Sequence, residues 1–328
     1  METGEWVRRQ RYGFALDGPA LDPFCGDPPR RLRDILARIP SEVVERFSGC
    51  GSPVPEAIEG RRVVDLGCGT GRDAYLCAAL VGPSGFVMGL DREEQHLALA
   101  RRNVEPAMGA LGYAEPNIAF RKGSIEAMAE AGIEDECFDV AISNRALNLV
   151  PDKLRVLREV FRVLMPGGEF YFSDVYADRR LPEEVAREPE VIREQLGGAL
   201  YVGDLVRLAR RAGFIEPRIV ARCPLALADP DLQARLGGVQ FWAVTFRLFK
   251  VLELEDGEED YGQAALYRGT IHGCAHHFIL DADNQFETGR IRRVGGNTAL
   301  ILQRSRLAPH FKVFGSRNRH FGPFVGPA

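Results

Sequence analysis

No run of about 18 apolar residues, the length a membrane-spanning helix needs, occurs anywhere in this chain. Basic charge is not in excess either: 42 Lys and Arg stand against 46 Asp and Glu, giving a net charge of -4. A nucleic-acid-binding surface normally shows a basic excess, so nucleic acid is not an expected partner, and neither is a membrane. The seven cysteines are odd in number and irregularly spaced, which excludes a disulfide framework of the kind small secreted domains use. Met1 to Gly18 is charged and lacks the apolar core of a signal peptide. A cytoplasmic protein with reduced thiols is therefore expected, acting on a small molecule. Internal repeats and low-complexity segments are missing as well. What remains, 27% charged and 45% hydrophobic residues over 328 positions, is ordinary globular composition with room for two domains.

The most informative stretch is Val63-Val64-Asp65-Leu66-Gly67-Cys68-Gly69-Thr70-Gly71. Apolar β-branched residues bounded by glycine read as a buried strand, and Arg72 to Leu80 reads as a helix. Glycines allow close backbone approach to a ligand, and the helix start offers free N–H groups. A dinucleotide fingerprint is G-x-G-x-x-G, whereas here the turn is one residue tighter. This G-x-G-x-G spacing, with Asp65 before it, resembles the first motif of class I S-adenosylmethionine (SAM) enzymes, and Asp65, Gly67, Gly69 and Gly71 become candidate contacts for that cosubstrate.

The pattern then alternates. Phe86 to Asp91 reads as a second strand, ending in an acid placed to accept hydrogen bonds from a ribose diol or to cap the next helix, with Arg92 beside it. One helix is expected from Glu93 to about Leu111, then a strand at Ile118 to Phe120. The turn Gly123-Ser124-Ile125-Glu126 suits a purine, with Ile125 on its face and Glu126 on its edge. Phe138 to Asn144 and Glu169 to Val175 read as further strands, with a helix from Pro151 to Leu164 between them. Alternating strands and helices predict an α/β, doubly wound parallel sheet with ligand at its carboxyl edge. We divide the chain into a lid or helical segment at 1–58, a SAM-binding Rossmann-like domain at 59–225, and a smaller α+β domain at 226–328. Strands are expected in the last part at Phe241–Phe249, Gly262–Gly269 and His277–Asp281. His272, Cys274, His276 and His277 match no metal-ligand spacing, and a surface β-segment is expected there without a metal.

Longer stretches resemble the arsenite methyltransferases, from about residue 25 to residue 323. They include Ser143-Asn144 with Leu147 to Lys153, Phe172 to Arg180, Leu196 to Tyr201, Asp260 to Ala264, Phe286 to Arg290 and Gly296 to Ala299. The resemblance implies a class I sheet, SAM as methyl donor, and a C-terminal domain of that family. It also implies cysteines, holding trivalent arsenic, at positions filled here by Arg145 and Gln195. Soft As(III) calls for thiolates, which a guanidinium and an amide do not replace. Cys25 and Cys50 lie near other family cysteines.

The expected reaction is SAM-dependent methyl transfer to a non-arsenic N, O or C acceptor in secondary metabolism. Three alternatives stay open: ring closure of SAM, as sole substrate, to azetidine-2-carboxylate with release of methylthioadenosine; arsenite methylation with a reduced cysteine set; and SAM binding without catalysis. Asn144, also a candidate SAM contact together with Arg92, Ile125 and Glu126, and Gln195 are candidates to orient an acceptor. Asp174 and Tyr176 are candidates to take its proton, and Tyr201 lies on the next element. For the two tyrosines plain packing is the alternative. Arg145 suits a carboxylate, the acceptor's or SAM's own, or a surface salt bridge.

Overall fold

The computed structural model describes residues 28–225 and 230–326. The expected lid at residues 1–24 and Cys25 lie outside the described residues. Two short helices, α1 (Arg30–Leu36) and α2 (Ser41–Glu45), lead in, broken at Pro40 as the sequence predicts. Then follow β1 (Arg62–Leu66), α3 (Arg72–Val81), β2 (Phe86–Asp91), α4 (Glu94–Arg102), α5 (Val104–Leu111), β3 (Ile118–Lys122) and β4 (Phe138–Asn144). The chain continues with α6 (Lys153–Val163), β5 (Leu164–Ala177), α7 (Glu183–Ala186), α8 (Pro189–Arg193), β6 (Leu200–Tyr201), α9 (Val202–Ala212) and β7 (Arg218–Leu225). After α10 (Pro230–Arg235) and β8 (Phe241–Phe249) come β9 (Ala264–Tyr267), β10 (His277–Ile279), β11 (Gln285–Glu287), β12 (Ile291–Arg293), α11 (Gly296–Arg304) and β13 (Phe311–Phe314).

The main sheet runs β3-β2-β1-β4-β5-β8-β7, with β6 against β5. Strands β1 to β5 are parallel; β8 is antiparallel to both β5 and β7. Val63, Val64, Val140, Ala141 and Ile142 are wholly buried, because helices cover both faces of a parallel sheet. On one face α6 turns Val156, Leu157, Val160 and Val163 inward, and Asp152 caps it by accepting the Arg155 N–H at 3.0 Å. On the other face α3 buries nearly its whole surface. No helix among the described residues is long and apolar enough to cross a membrane.

Three expectations change. The single helix expected from Glu93 to Leu111 is two, α4 and α5, meeting at Asn103, whose side-chain amide donates back to the Leu99 carbonyl at 2.9 Å. The strand Phe241–Phe249, expected within the C-terminal part, belongs to the main sheet, where it pairs with β5 from Glu169↔Phe249 to Ala177↔Phe241. Helix α11 was not foreseen: Gly296 to Leu302 are all buried, so it shows no amphipathic period.

The C-terminal unit is a three-stranded sheet β12-β9-β13, a β10-β11 hairpin and α11. Its core is aromatic, with Phe311 5.1 Å from both the Tyr267 and Phe286 ring centroids. Buried arginines join it to the main sheet. Arg247 on β8 pairs with Glu169 on β5 at 2.6 Å and donates to the Leu280 carbonyl at 3.0 Å, while Arg306 pairs with the other Glu169 oxygen. Arg218 on β7 pairs with Asp281 at 2.6 Å and Glu258 at 2.7 Å.

Candidate active site

The strand order reverses between β1 and β4, and ligands of open α/β sheets bind at such a switch point, outside the strand carboxyl ends. The glycine loop after β1 sits there. Gly67 (φ +71°) lies where a Cβ would come within 2.4 Å of the Ala146 Cβ, so only glycine lets the turn pack against the end of β4. Gly69 (φ +54°) faces open space. Its N–H donates to Asp91 Oδ2 at 2.8 Å, and the Glu93 N–H donates to Asp91 Oδ1 at 2.8 Å. Both readings of Asp91 are thus compatible: it orders the glycine loop and the start of α4 and keeps lone pairs for a diol. Asp65 is buried, and its Oδ2 has no partner among the described residues. Burial, reinforced by Asp73 and Asp91, raises its carboxyl well above the usual range.

A cavity of about 290 Å³ opens at this loop, near the lower size of small-molecule sites. Of the sequence-predicted residues, Asp65, Gly67, Gly69, Asp91, Arg92, Ile125, Glu126, Asn144, Arg145 and Gln195 line it. The Ser124 hydroxyl accepts the Glu126 N–H at 3.2 Å, and Glu126 accepts the Asp152 N–H at 3.3 Å, fixing the turn against α6. Gly71 does not line the cavity. At φ +92° it caps α3, and a Cβ there would strike the Phe120 ring at 2.7 Å, so its role is packing.

Asn144 is a bridge. Its Oδ1 accepts the Cys50 N–H at 2.8 Å and its Nδ2 donates to Asp73 Oδ2 at 2.9 Å. Asp73 is neutralised in turn by Arg72 at 2.6 Å, and that guanidinium stacks 3.1 Å from the centroid of Phe47. Arg46, Phe47 and Ser48 also line the cavity. In sequence Phe47-Ser48 stand where the resemblance implies tandem tyrosines of a lid, but their place on this wall depends on α2 being tied down tertiarily, by the Thr70 hydroxyl donating to the Val43 carbonyl at 2.9 Å.

Asp174, Tyr176 and Tyr201 are not brought to the cavity wall. Asp174 is buried and accepts the N–H groups of Asn148 at 3.0 Å and Val175 at 2.8 Å, an anchor for the loop after β4 rather than an exposed base. Burial pushes its carboxyl up to about 6. Tyr176 is wholly buried edge-on to Phe246, its hydroxyl without a partner among the described residues and its pKa raised by burial. Tyr201 precedes α9 with the Arg180 guanidinium 5.7 Å from its ring centroid, a packing role. The Cys50 N–H is held by Asn144 while its side chain packs with the Val175 cluster, and burial drives its thiol pKa upward.

Residues 58–213 match a family described as a methyltransferase domain, and residues 261–321 match the arsenite methyltransferase C-terminal domain. An arsenite methyltransferase of Aquipseudomonas alcaligenes is 48% identical over 298 residues, covering 91% of this chain and 86% of the relative. The chain belongs to the arsenite methyltransferase family. A mouse arsenite methyltransferase is 42% identical, over 86% of this chain and 74% of its own length. The crystal structure of an arsenic(III) S-adenosylmethionine methyltransferase from Chlamydomonas reinhardtii superposes with a TM-score of 0.88 at 48% identity, covering 91% of this chain and all of that one.

This arsenite methyltransferase family member is thus a SAM-dependent methyltransferase, and its residues fit the cosubstrate. The orphaned Asp65 oxygen suits an ammonium, the open face of Gly69 leaves room for a ligand, and Asp91 suits the ribose diol. Arg145 and Gln195 both have φ +58°, a left-handed conformation that costs a non-glycine residue about 1–2 kcal/mol and gathers at functional sites. They come from different elements, the end of β4 and the turn after α8, yet line the same cavity.

Proposed function

We propose that this chain transfers the methyl group of SAM to a small, non-arsenic acceptor seated beside Arg145 and Gln195. One observation carries this reading. The two residues converge on the cavity from separate elements, each in a left-handed conformation, and neither offers a soft ligand. When bound, SAM supplies an electrophilic methyl on a sulfonium. The chain's part is proximity and orientation: Asp65 and Asp91 hold the donor, Asn144 fixes the wall through Asp73 and Cys50, and Arg145 with Gln195 hold the acceptor.

Arsenite methylation is the second reading. It is favoured by the names of the Aquipseudomonas and mouse relatives, which cover 91% and 86% of this chain, and by the matching C-terminal domain. Among the described residues Cys68 lines the cavity at the glycine loop, and Cys50, whose N–H donates to Asn144, packs off the wall with the Val175 cluster. Both are driven upward in pKa by burial, which opposes the thiolate form that As(III) needs. Neither secondary metabolism nor ring closure of SAM draws support from the relatives.

Incubation with SAM in two arms separates the readings. One arm adds As(III) with excess thiol; the other adds a protein-free small-molecule extract. The proposal expects S-adenosylhomocysteine in the extract arm and only background with As(III). Methylated arsenic as the dominant product would establish the second reading instead.

A further inference from the structure

The geometry points to a negatively charged acceptor, a small carboxylate, held by the Arg145 guanidinium; this rests on the methyl-transfer reading above. Arg145 lines the cavity at the end of β4. Among the described residues its guanidinium makes one hydrogen bond, to the Glu194 carbonyl at 3.2 Å, and forms no ion pair. The Gln195 side chain, next in sequence, lines the same cavity with no hydrogen bond among the described residues. A guanidinium presents five N–H donors in a planar fork matched to a carboxylate. Most of that fork is open here, while the other arginine deep at this end, Arg72, is spent on Asp73 at 2.6 Å.

Charge beside the acceptor position makes the choice, although the wall as a whole carries Arg46 and Arg92 as well as several carboxylates. Bound SAM brings a sulfonium cation to this cavity, and Arg145 adds a second positive charge. A cationic acceptor would meet both. An anionic one is attracted by both, and its carboxylate can anchor on Arg145 and the Gln195 amide while its nucleophile faces the methyl. Of the carboxylates on the wall, Asp73 is engaged by Arg72 and Asn144 and Asp91 by the Gly69 and Glu93 N–H groups, while Asp65, Glu93 and Glu126 belong to the glycine loop, the start of α4 and the Gly123–Glu126 turn, the parts assigned to the donor. The backbone strain at both positions fits residues selected for where they aim their side chains.

The carboxylate that Arg145 meets has two available sources, the acceptor or the methionyl end of SAM, and the test keeps them apart. Calorimetric titration of the full chain with SAM and with decarboxylated SAM is followed by titration of the SAM-saturated protein with benzoate, succinate and, as cationic control, benzylamine. Arg145→Asn suits the left-handed backbone and removes the charge; Arg145→Lys keeps the charge without the fork. The inference expects carboxylates, and not benzylamine, to bind the wild-type complex. It expects Arg145→Asn to weaken that binding at least tenfold, Arg145→Lys to weaken it a few-fold, and SAM affinity to stay within threefold throughout. If Arg145→Asn instead weakens SAM at least tenfold and leaves decarboxylated SAM unaffected, the guanidinium holds the donor's own carboxylate and the inference is overturned. Carboxylate binding that is absent in wild type, or unchanged in Arg145→Asn, overturns it too. A wild-type protein that binds no SAM defeats the methyl-transfer reading itself.

Discussion

The Asn144 amide nitrogen lies 2.9 Å from Asp73 Oδ2, and its oxygen accepts the Cys50 N–H at 2.8 Å. One side chain at the end of β4 thus couples the first turn of α3 to the loop before β1, the two walls between which the cavity opens. An amide is suited to this because it donates and accepts at once.

Asn144→Ala should therefore remove both links. The Asp73 carboxylate keeps Arg72, but the half-buried Cys50 N–H loses its partner, at a cost of about 1 kcal/mol. A lower melting temperature and a roughly tenfold weaker SAM affinity are expected. Calorimetry and a thermal melt check both; an Asn144→Asp variant should fare worse on affinity, since it sets a second carboxylate against Asp73.

Gly69→Ala tests the open face of the glycine loop. The residue has φ +54° with no atom within 4 Å of an added Cβ, so the fold should tolerate it at about 1–2 kcal/mol. The methyl would occupy ligand space. Circular dichroism should be unchanged while SAM affinity falls at least tenfold.

The glycine loop, the acids Asp65 and Asp91 and the polar end of β4 were legible in the sequence because they are local: spacing alone places them at strand ends. The cavity role of Arg46 to Ser48 was not, since it depends on α2 docking through Thr70. Tyr176 and Tyr201 misled because position near a strand end does not say which face a side chain takes; Tyr176 points into the core against Phe246. Helix α11 escaped because its first seven residues are all buried and lack polar–apolar alternation, and Asn297 among them is satisfied tertiarily, by the Glu255 N–H at 2.8 Å and the Glu255 carbonyl at 2.8 Å. Nor did any local signal place β8 between β5 and β7.

Asp174 should shape the pH dependence of stability. Its folded pKa is raised by burial to about 6 from an ordinary 3.8. Its contribution is thus fully present below the unfolded value and is lost as pH rises through about 6, a swing of about 3 kcal/mol. Glu216, raised by burial to about 7, acts with the same sign. Denaturant unfolding between pH 4 and pH 7 should show Asp174→Asn with a flatter profile than wild type over the range from about 4 to about 6.

Glu169 should prove essential for joining the C-terminal unit to the sheet. It is wholly buried between Arg247 and Arg306, and those charges hold its carboxyl below the usual range against the opposing effect of burial. Glu169→Gln leaves two buried cations short of an anion, and breaking such a pair typically costs about 3–5 kcal/mol. Equilibrium unfolding should show that loss, and limited proteolysis should cut more readily between β8 and β9.

Calorimetric titration of SAM into the wild-type chain and into Asp91→Asn tests the central claim most directly, that the donor docks at the β1–β4 switch point with its ribose on Asp91. One site per chain is expected in the wild type, at least tenfold weaker in Asp91→Asn, with methylthioadenosine weakened in parallel because it keeps the same diol. No SAM binding by the wild type, or equal binding by the two proteins, would contradict the account.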